Sequence, residues 1–250
     1  FAAQGRVEPN MLAFLDLVAL GTVADVVPLD RNNRALVKHG LKVIRSGRGR
    51  PGINALLEVA QRNPASITAS DLGFAVGPRL NAAGRLDDMS HGIECLLSED
   101  AFTARSMALD LDALNKDRKL IEQDMQTAAL VHLQNLELDV DSQLSICFYD
   151  AAWHQGVIGI LASRIKDRLH RPVIIFADAE EAGMIKGSAR SITGVHIRDL
   201  LDAVATHNPG LLSKFGGHAM AAGLSLRKQD FAVFALALER EVVGLANPEP

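Results

Sequence analysis

The sequence predicts an α/β protein of unlike parts: a helical first part, one long helix, and a mixed α/β last part. Three observations predict it. Apolar residues recur at helical three-and-four spacing from Met11 to about Leu97. The stretch from Ala101 to about Leu136 holds neither Gly nor Pro. After Asp139, short apolar runs alternate with helical segments.

The elements follow in order. Met11–Val27 reads as a helix with Gly21-Thr22 inside it, and Arg34–Arg45 and Ile53–Ala60 as two more amphipathic helices. SGRGRPG between the last two is a loop by its Gly, Pro and Ser content. Ser70–Leu86 is helical, with a bend or break expected at Gly77-Pro78. His91–Leu97 is short and apolar. Ser98 is suited to cap the long helix, and Glu99 and Asp100 suit its first turn. Met107, Leu111, Leu114, Ile121, Met125 and Ala128 mark its apolar stripe, and its length suits a connector between two lobes.

Beyond Asp139 the expected strands are Leu144–Tyr149, Pro172–Ala177, Met184–Ile192 and a short one near Gly223–Leu226. The expected helices are Val157–Leu169, Ile197–Thr206 and Phe231–Leu245. Phe215-Gly216-Gly217-His218 reads as a Gly-rich loop.

Composition bounds the function. The chain has 250 residues, 48% hydrophobic and 22% charged, a globular balance. Net charge is −4 and the sequence pI about 6.1, so any grip on nucleic acid must come from a local basic surface. Cys95 and Cys147 have no zinc spacing and read as buried thiols in a reducing cytosol. No apolar run spans a bilayer and no signal peptide opens the chain, so the expected location is cytoplasmic. Phe1 and the closing LANPEP read as cut ends of a longer polypeptide.

Five segments carry candidate chemistry. In LDLVALGTVADVVPL, Asp25 is an acid among apolar neighbours, either a metal ligand or a turn acid near Pro28. In GPRLNAAGRL, Arg79 and Arg85 bracket Asn81; two guanidiniums and an amide suit a phosphate and a base edge, while the small residues equally suit a helix contact. WHQGVIG, with Gln155, joins a strand to a helix start and is either an anion site or an ordinary turn. In KGSARS, alternation puts Ser188 and Arg190 on one strand face, for a phosphate or simply as a solvated edge. In FGGHAMAAG, Gly216 and Gly217 allow close approach beside His218, whose imidazole suits phosphate donation or acid catalysis.

Taken in order, GTVADVVPL, RLNAAGR, WHQGVIGI, KGSARS and FGGHAMAAG resemble the DHH phosphoesterase family in its RecJ branch, over about Phe14 to Leu226. The resemblance implies the helical C-terminal part of a DHH catalytic domain (1–98), a long connector helix (99–137) and a mixed α/β DHHA1 substrate-binding domain (138–246). It implies a metal-dependent 5′→3′ exonuclease on single-stranded DNA, serving recombination and repair with two Mn2+ or Mg2+ ions. Asp25 would be a metal ligand in the catalytic centre. Arg79, Asn81 and Arg85 would face the nucleotide, and Gln155, Ser188, Arg190, Gly216, Gly217 and His218 the strand and its phosphates, His218 also as a catalytic group. Implied partners are single-strand-binding protein and a RecQ-type helicase, with no membrane.

The DHH triplet and the earlier Asp-rich motifs are absent, and Asp87-Asp88-Met89-Ser90-His91 does not match them and reads as a loop. The family's oligonucleotide-binding domain is missing as well. The chain alone is therefore expected not to hydrolyse DNA. Two alternatives remain open: a DHH phosphodiesterase acting on cyclic dinucleotides or short RNA, and a non-catalytic nucleic-acid-binding module.

Overall fold

The computed structural model describes residues 10–135 and 143–246, apart from the side chains of 130, 132–135 and 246. The expected lobe start at Asp139 and most of the terminal segments lie outside the described residues. By compactness the chain divides into Phe1–Arg118 and Lys119–Pro250, a boundary inside the long helix.

The first unit is helical. A 3-10 turn, Met11–Phe14, leads into α1 (Leu15–Ala24). The helix stops three residues before the expected Val27, because Asp25 leaves helical geometry and Val26 takes φ +54. α2 (Arg31–Val43) starts at Asp30, whose carboxylate accepts from the Asn33 amide at 2.8 Å. A Cβ on Gly40 would lie 2.1 Å from the Leu15 carbonyl oxygen, so α1 and α2 meet backbone to backbone.

Where SGRGRPG was expected to be a loop, Ile44–Arg48 forms a wide π turn and Pro51-Gly52 already begins α3 (Pro51–Val59). Proline's fixed φ suits the first helical position, so composition misled here. A single turn, α4 (Ala69–Asp71), carries a Thr68–Asp71 capping box. It runs through a π turn (Leu72–Val76) into α5 (Gly77–Leu86). The break expected at Gly77-Pro78 is replaced by that π turn, whose wider winding relieves the clash a proline ring makes with the preceding turn.

Asp87-Asp88-Met89-Ser90-His91 is not a loop. Asp88 caps α6 (Met89–Leu97) by accepting from the Ser90 amide at 2.9 Å. α7 (Ala101–Asn135) spans about 50 Å at 1.5 Å per residue. Its cap is Asp100, which accepts from the Thr103 amide at 2.7 Å, rather than Ser98. Leu20, Ile44, Ile53, Leu56, Leu72 and Leu111 are among the buried residues of this unit's core.

The second unit is a three-layer α/β domain. β1 (Ile146–Tyr149), α8 (Ile158–Leu169) and β2 (Val173–Asp178) form a parallel βαβ unit. β3 (Met184–Arg190), α9 (Ile197–His207), β4 (Lys214–Gly217), β5 (Ala221–Arg227) and α10 (Phe231–Ala246) follow. The sheet order is β1-β2-β3-β5-β4, antiparallel after the first pair. β3 is therefore central, not an edge strand. FGG is not a loop either: Gly216 and Gly217 pair with Gly223 and Ala222 in the ladder.

α8 covers one face of β2 and β3. α9 and α10 close the other face over Phe176, Ile185, Leu201, Leu226 and Phe234, with Phe176 and Phe234 edge-on at 5.5 Å. Glu239 of α10 accepts from the amides of Leu144 and Ser145 at 2.6 and 2.8 Å, fixing the entry to β1. Both cysteines are free; burial pushes the Cys95 thiol up to about 11. Among the described residues no helix is long and apolar enough to cross a membrane.

Candidate functional site

In the first unit, Asp25 sits at the C-cap of α1 and is exposed, so it is not the costly buried acid its neighbours suggested. That acid is Asp16, only 1% exposed. Its carboxylate accepts from the Leu17 and Arg50 amides at 2.8 and 2.9 Å and lies 3.5 Å from the Arg50 guanidinium. A buried carboxylate satisfied in this way is a structural group. Directly after Asp25, Val26 holds a left-handed backbone that a β-branched residue rarely adopts, a strained geometry of the kind found at functional sites.

The residues of GPRLNAAGRL divide by helix face. Asn81 and Arg85, four apart on α5, share an exposed face. Arg79 turns inward. Its Nε and Nη2 donate to one Asp112 oxygen at 2.8 and 2.7 Å, and Nη1 donates to the Ala75 carbonyl at 2.6 Å. Lys116 meets the other Asp112 oxygen at 2.8 Å. Burial pushes the Asp112 carboxyl upward, but the Lys116 hydrogen bond and the Arg79 charge outweigh it and hold the group below the usual carboxylate range.

Asp112 was missed in the sequence. The available signal was an acid one position off the apolar stripe, with Asn115 buried one turn further on.

In the second unit, three segments carry the candidate residues: the turn before α8 follows the β1 end in register with Gly187, and the β4–β5 turn lies beyond Arg190. The first is the turn before α8, anchored by Trp153, which is buried and edge-on to Phe148 at 6.5 Å. Gln155 lies half-buried in that turn, and no side chain caps α8. The second is the end of β3, where Arg190 donates through Nη1 to Ser188 Oγ and the Ala189 carbonyl at 2.9 and 2.8 Å. A Cβ on Gly159, in the first turn of α8, would lie 2.8 Å from Arg190 Nη2 and 2.9 Å from Ser188 Oγ. Glycine there lets the helix start rest directly on the guanidinium and hydroxyl.

The third is the β4–β5 turn. Gly217 has φ +151, and a Cβ there would meet the Ala221 carbonyl oxygen at 2.4 Å, so only glycine fits. His218 is exposed and its amide donates to the Ala221 carbonyl at 2.8 Å. The turn is tied to its neighbours: the Ser191 amide donates to Met220 at 3.0 Å, the Ile197 amide to Ala219 at 2.9 Å, and the buried Ser191 hydroxyl to Val195 at 2.7 Å. The structure thus brings Ser188, Arg190, Gly216, Gly217 and the turn bearing His218 together, with α8 set over β3. The amides of Val157, Ile158 and Ile160 already donate to carbonyls of the turn, so the environment for an oxyanion is made by the Arg190 guanidinium and the Ser188 hydroxyl.

A divalent metal does not fit the described residues by themselves. No three of their His, Cys, Asp and Glu side chains gather into a cluster, and Asp25 alone cannot hold a hard cation that takes six or more ligands.

The DHHA1 domain family model matches residues 141–244. The single-stranded-DNA-specific exonuclease RecJ of Dickeya dadantii is 60% identical over 94% of this chain, which spans 41% of that relative's length. The RecJ of Escherichia coli is 59% identical over 90% of this chain and is covered over 39% of its own length. A crystal structure of RecJ in complex with Mg2+ from Thermus thermophilus superposes with a TM-score of 0.82 at 32% identity, covering all of this chain and 36% of the other. The chain spans about two fifths of the length of these two relatives. With identity this high along nearly all of its residues, the chain belongs to the RecJ branch of the DHH/DHHA1 family.

Proposed function

We propose that this chain is the strand-gripping portion of a divalent-metal-dependent 5′→3′ exonuclease on single-stranded DNA, working in the cytoplasm in recombination and repair. Residues 1–98 are read as the end of the catalytic domain, 99–137 as the connector and 138–246 as the substrate-binding domain. The observation that carries the reading is the bare Gly159, which clears space for the Arg190 guanidinium and Ser188 hydroxyl beneath the start of α8.

In this reading Arg190 and Ser188 hold phosphate oxygens, with Gln155 beside them. Gly216 and Gly217 leave room for the sugar-phosphate chain, and His218 donates from its imidazole to a phosphate oxygen or leaving group. Asn81 and Arg85 face the nucleotide, and Arg79 acts through Asp112 by holding α5. Asp25 offers one carboxylate to a two-ion Mn2+ or Mg2+ site whose other ligands are not among the described residues. Single-strand-binding protein and a RecQ-type helicase are proposed partners on resemblance alone, to be tested by pull-down with the purified proteins.

The test uses the intact polypeptide of the reading frame that holds this chain, with Mn2+, offered 5′-labelled single-stranded DNA beside a cyclic dinucleotide. Labelled mononucleotide should be released from the DNA, lost in Asp25→Ala and weakened in Arg190→Ala. Turnover of the cyclic dinucleotide with the DNA untouched would overturn the reading.

A further inference from the structure

The sheet face that carries Ser188 and Arg190 continues past them. Register alone arranges it in rows. Ser188 of β3 lies beside Gly223 of β5, which lies beside Gly216 of β4. One row further from Arg190, Lys186 lies beside Ser225, which lies beside Lys214. At about 3.4 Å per residue, the lysine row is roughly 14 Å from Arg190 along β3. Two strand spacings separate the two lysine Cα atoms by about 10 Å.

Lys186, Lys214, Gly216, Gly223 and Ser225, with Phe215 and Leu224, line a depression of about 460 Å³. Both lysines are exposed, and among the described residues neither has a carboxylate within 4.0 Å. Nearby cations behave differently: Arg227 pairs with Asp230 at 2.8 Å, and Lys228 with Asp178 at 3.4 Å.

The glycine pair supplies an independent argument. A Cβ on Gly216 would meet nothing within 4 Å, and one on Gly223 only the Gly187 carbonyl oxygen at 4.0 Å. Neither has a positive φ. Packing and backbone conformation therefore require glycine at neither position, although glycine weakens a strand. A facing pair of bare residues inside a sheet, with room for side chains, leaves backbone open to close approach by something else.

We propose that Lys186, Ser225 and Lys214 form a second phosphate subsite, taking a phosphodiester of the same strand downstream of the group held by Arg190 and Ser188. This rests on the reading above that Arg190 and Ser188 hold a strand's phosphate. The lysine ammonium groups close over the phosphate from either side, Ser225 donates between them, and the bare glycine pair admits the sugar-phosphate chain. A flexible point charge suits a sequence-independent grip, with no base readout. The subsite would favour long strands over short ones, because a dinucleotide seated at Arg190 does not reach the lysine row.

The test measures binding by the intact polypeptide without divalent metal, so that nothing is cleaved. The probes are 5′-phosphorylated dT2 and dT12 over a series of NaCl concentrations. Each phosphate contact on a single strand contributes about 0.7 to the salt slope of log K. The double variant K186A/K214A removes one phosphate contact, so it should lower the dT12 slope by about 0.7 and leave dT2 unchanged, and K186R/K214R should restore the slope. Gly223→Val fills the open space with a better strand former; it should weaken dT12 at an unchanged or higher urea midpoint. An unchanged dT12 slope in K186A/K214A, or equal loss on both probes, overturns the subsite. The Arg190→Ala variant separates the two readings. If it leaves both probes unaffected, the underlying reading fails; if it weakens both while the lysine variants do nothing, only the subsite fails.

Discussion

Gly159→Ala isolates the contact on which the proposed phosphate site rests. The added methyl would lie 2.8 Å from Arg190 Nη2 and 2.9 Å from Ser188 Oγ, both inside van der Waals contact. These atoms end flexible side chains, so the guanidinium moves and the backbone does not. Displacing Arg190 gives up its hydrogen bonds to Ser188 Oγ and the Ala189 carbonyl, at 2.9 and 2.8 Å, a net of about 1–3 kcal/mol for two partly exposed bonds that water can replace. Alanine in the first helical turn returns about 0.5–1 kcal/mol relative to glycine. Global stability should therefore fall by no more than about 2 kcal/mol.

Binding should not be spared. A hydrogen bond from a charged donor contributes about 1.5–3 kcal/mol, so the loss should be about ten- to hundredfold for a 5′-phosphorylated oligonucleotide. Fluorescence anisotropy measures that loss, and urea unfolding measures the stability. Gly159→Ala combined with Arg190→Ala should bind no worse than Arg190→Ala alone, since both changes remove one interaction. Wild-type affinity in Gly159→Ala, or additive losses in the double variant, would refute the reasoning.

Other outcomes follow from the same geometry. Gly217→Ala should destabilise by about 2–4 kcal/mol in urea, because its Cβ meets backbone atoms of Ala221 and Ala222 that cannot swing away. Arg79→Met leaves Asp112 without its inward cation and should cost about 2–4 kcal/mol, with the melting temperature as readout. The Asp112 carboxyl is held below its unfolded value of 3.8, so its stabilisation is present above that pH and is lost as pH falls through the lower folded value. Asp112→Asn should accordingly flatten the acid limb of stability below about pH 4, as measured by melts between about pH 2 and 6. Asp25→Ala should shift stability by less than about 0.5 kcal/mol, since the residue is exposed.

Legibility in the sequence followed the range of the interaction involved. Helical periodicity located the long helix and α8 to α10 within a residue or two, because one buried face writes itself into local spacing. The face shared by Ser188 and Arg190 was readable from strand alternation alone. What failed depended on partners distant in sequence. Gly216 and Gly217 look like loop residues until β5 supplies Gly223 and Ala222 as ladder partners. Arg79 looks like a ligand arginine until α7 brings Asp112 to it across 33 positions. Asp16 and Asp25 occupy one apolar segment, and only the fold decides that the first is buried by Arg50 and the second exposed. The row of Lys186, Ser225 and Lys214 has no local signature, since its members are joined only by strand register.

The bonds at Ser191, Ile197 and His218 carry a consequence for motion. They stitch the end of β3, the entry to α9 and the β4–β5 turn into one closed ring. Such a ring opens by a shared fluctuation rather than by fraying at one strand end, so these three amides should exchange with solvent deuterons at a common rate. Arg190 and His218 would then be presented or withdrawn together, and a substrate that steadied either would slow the exchange of the whole ring.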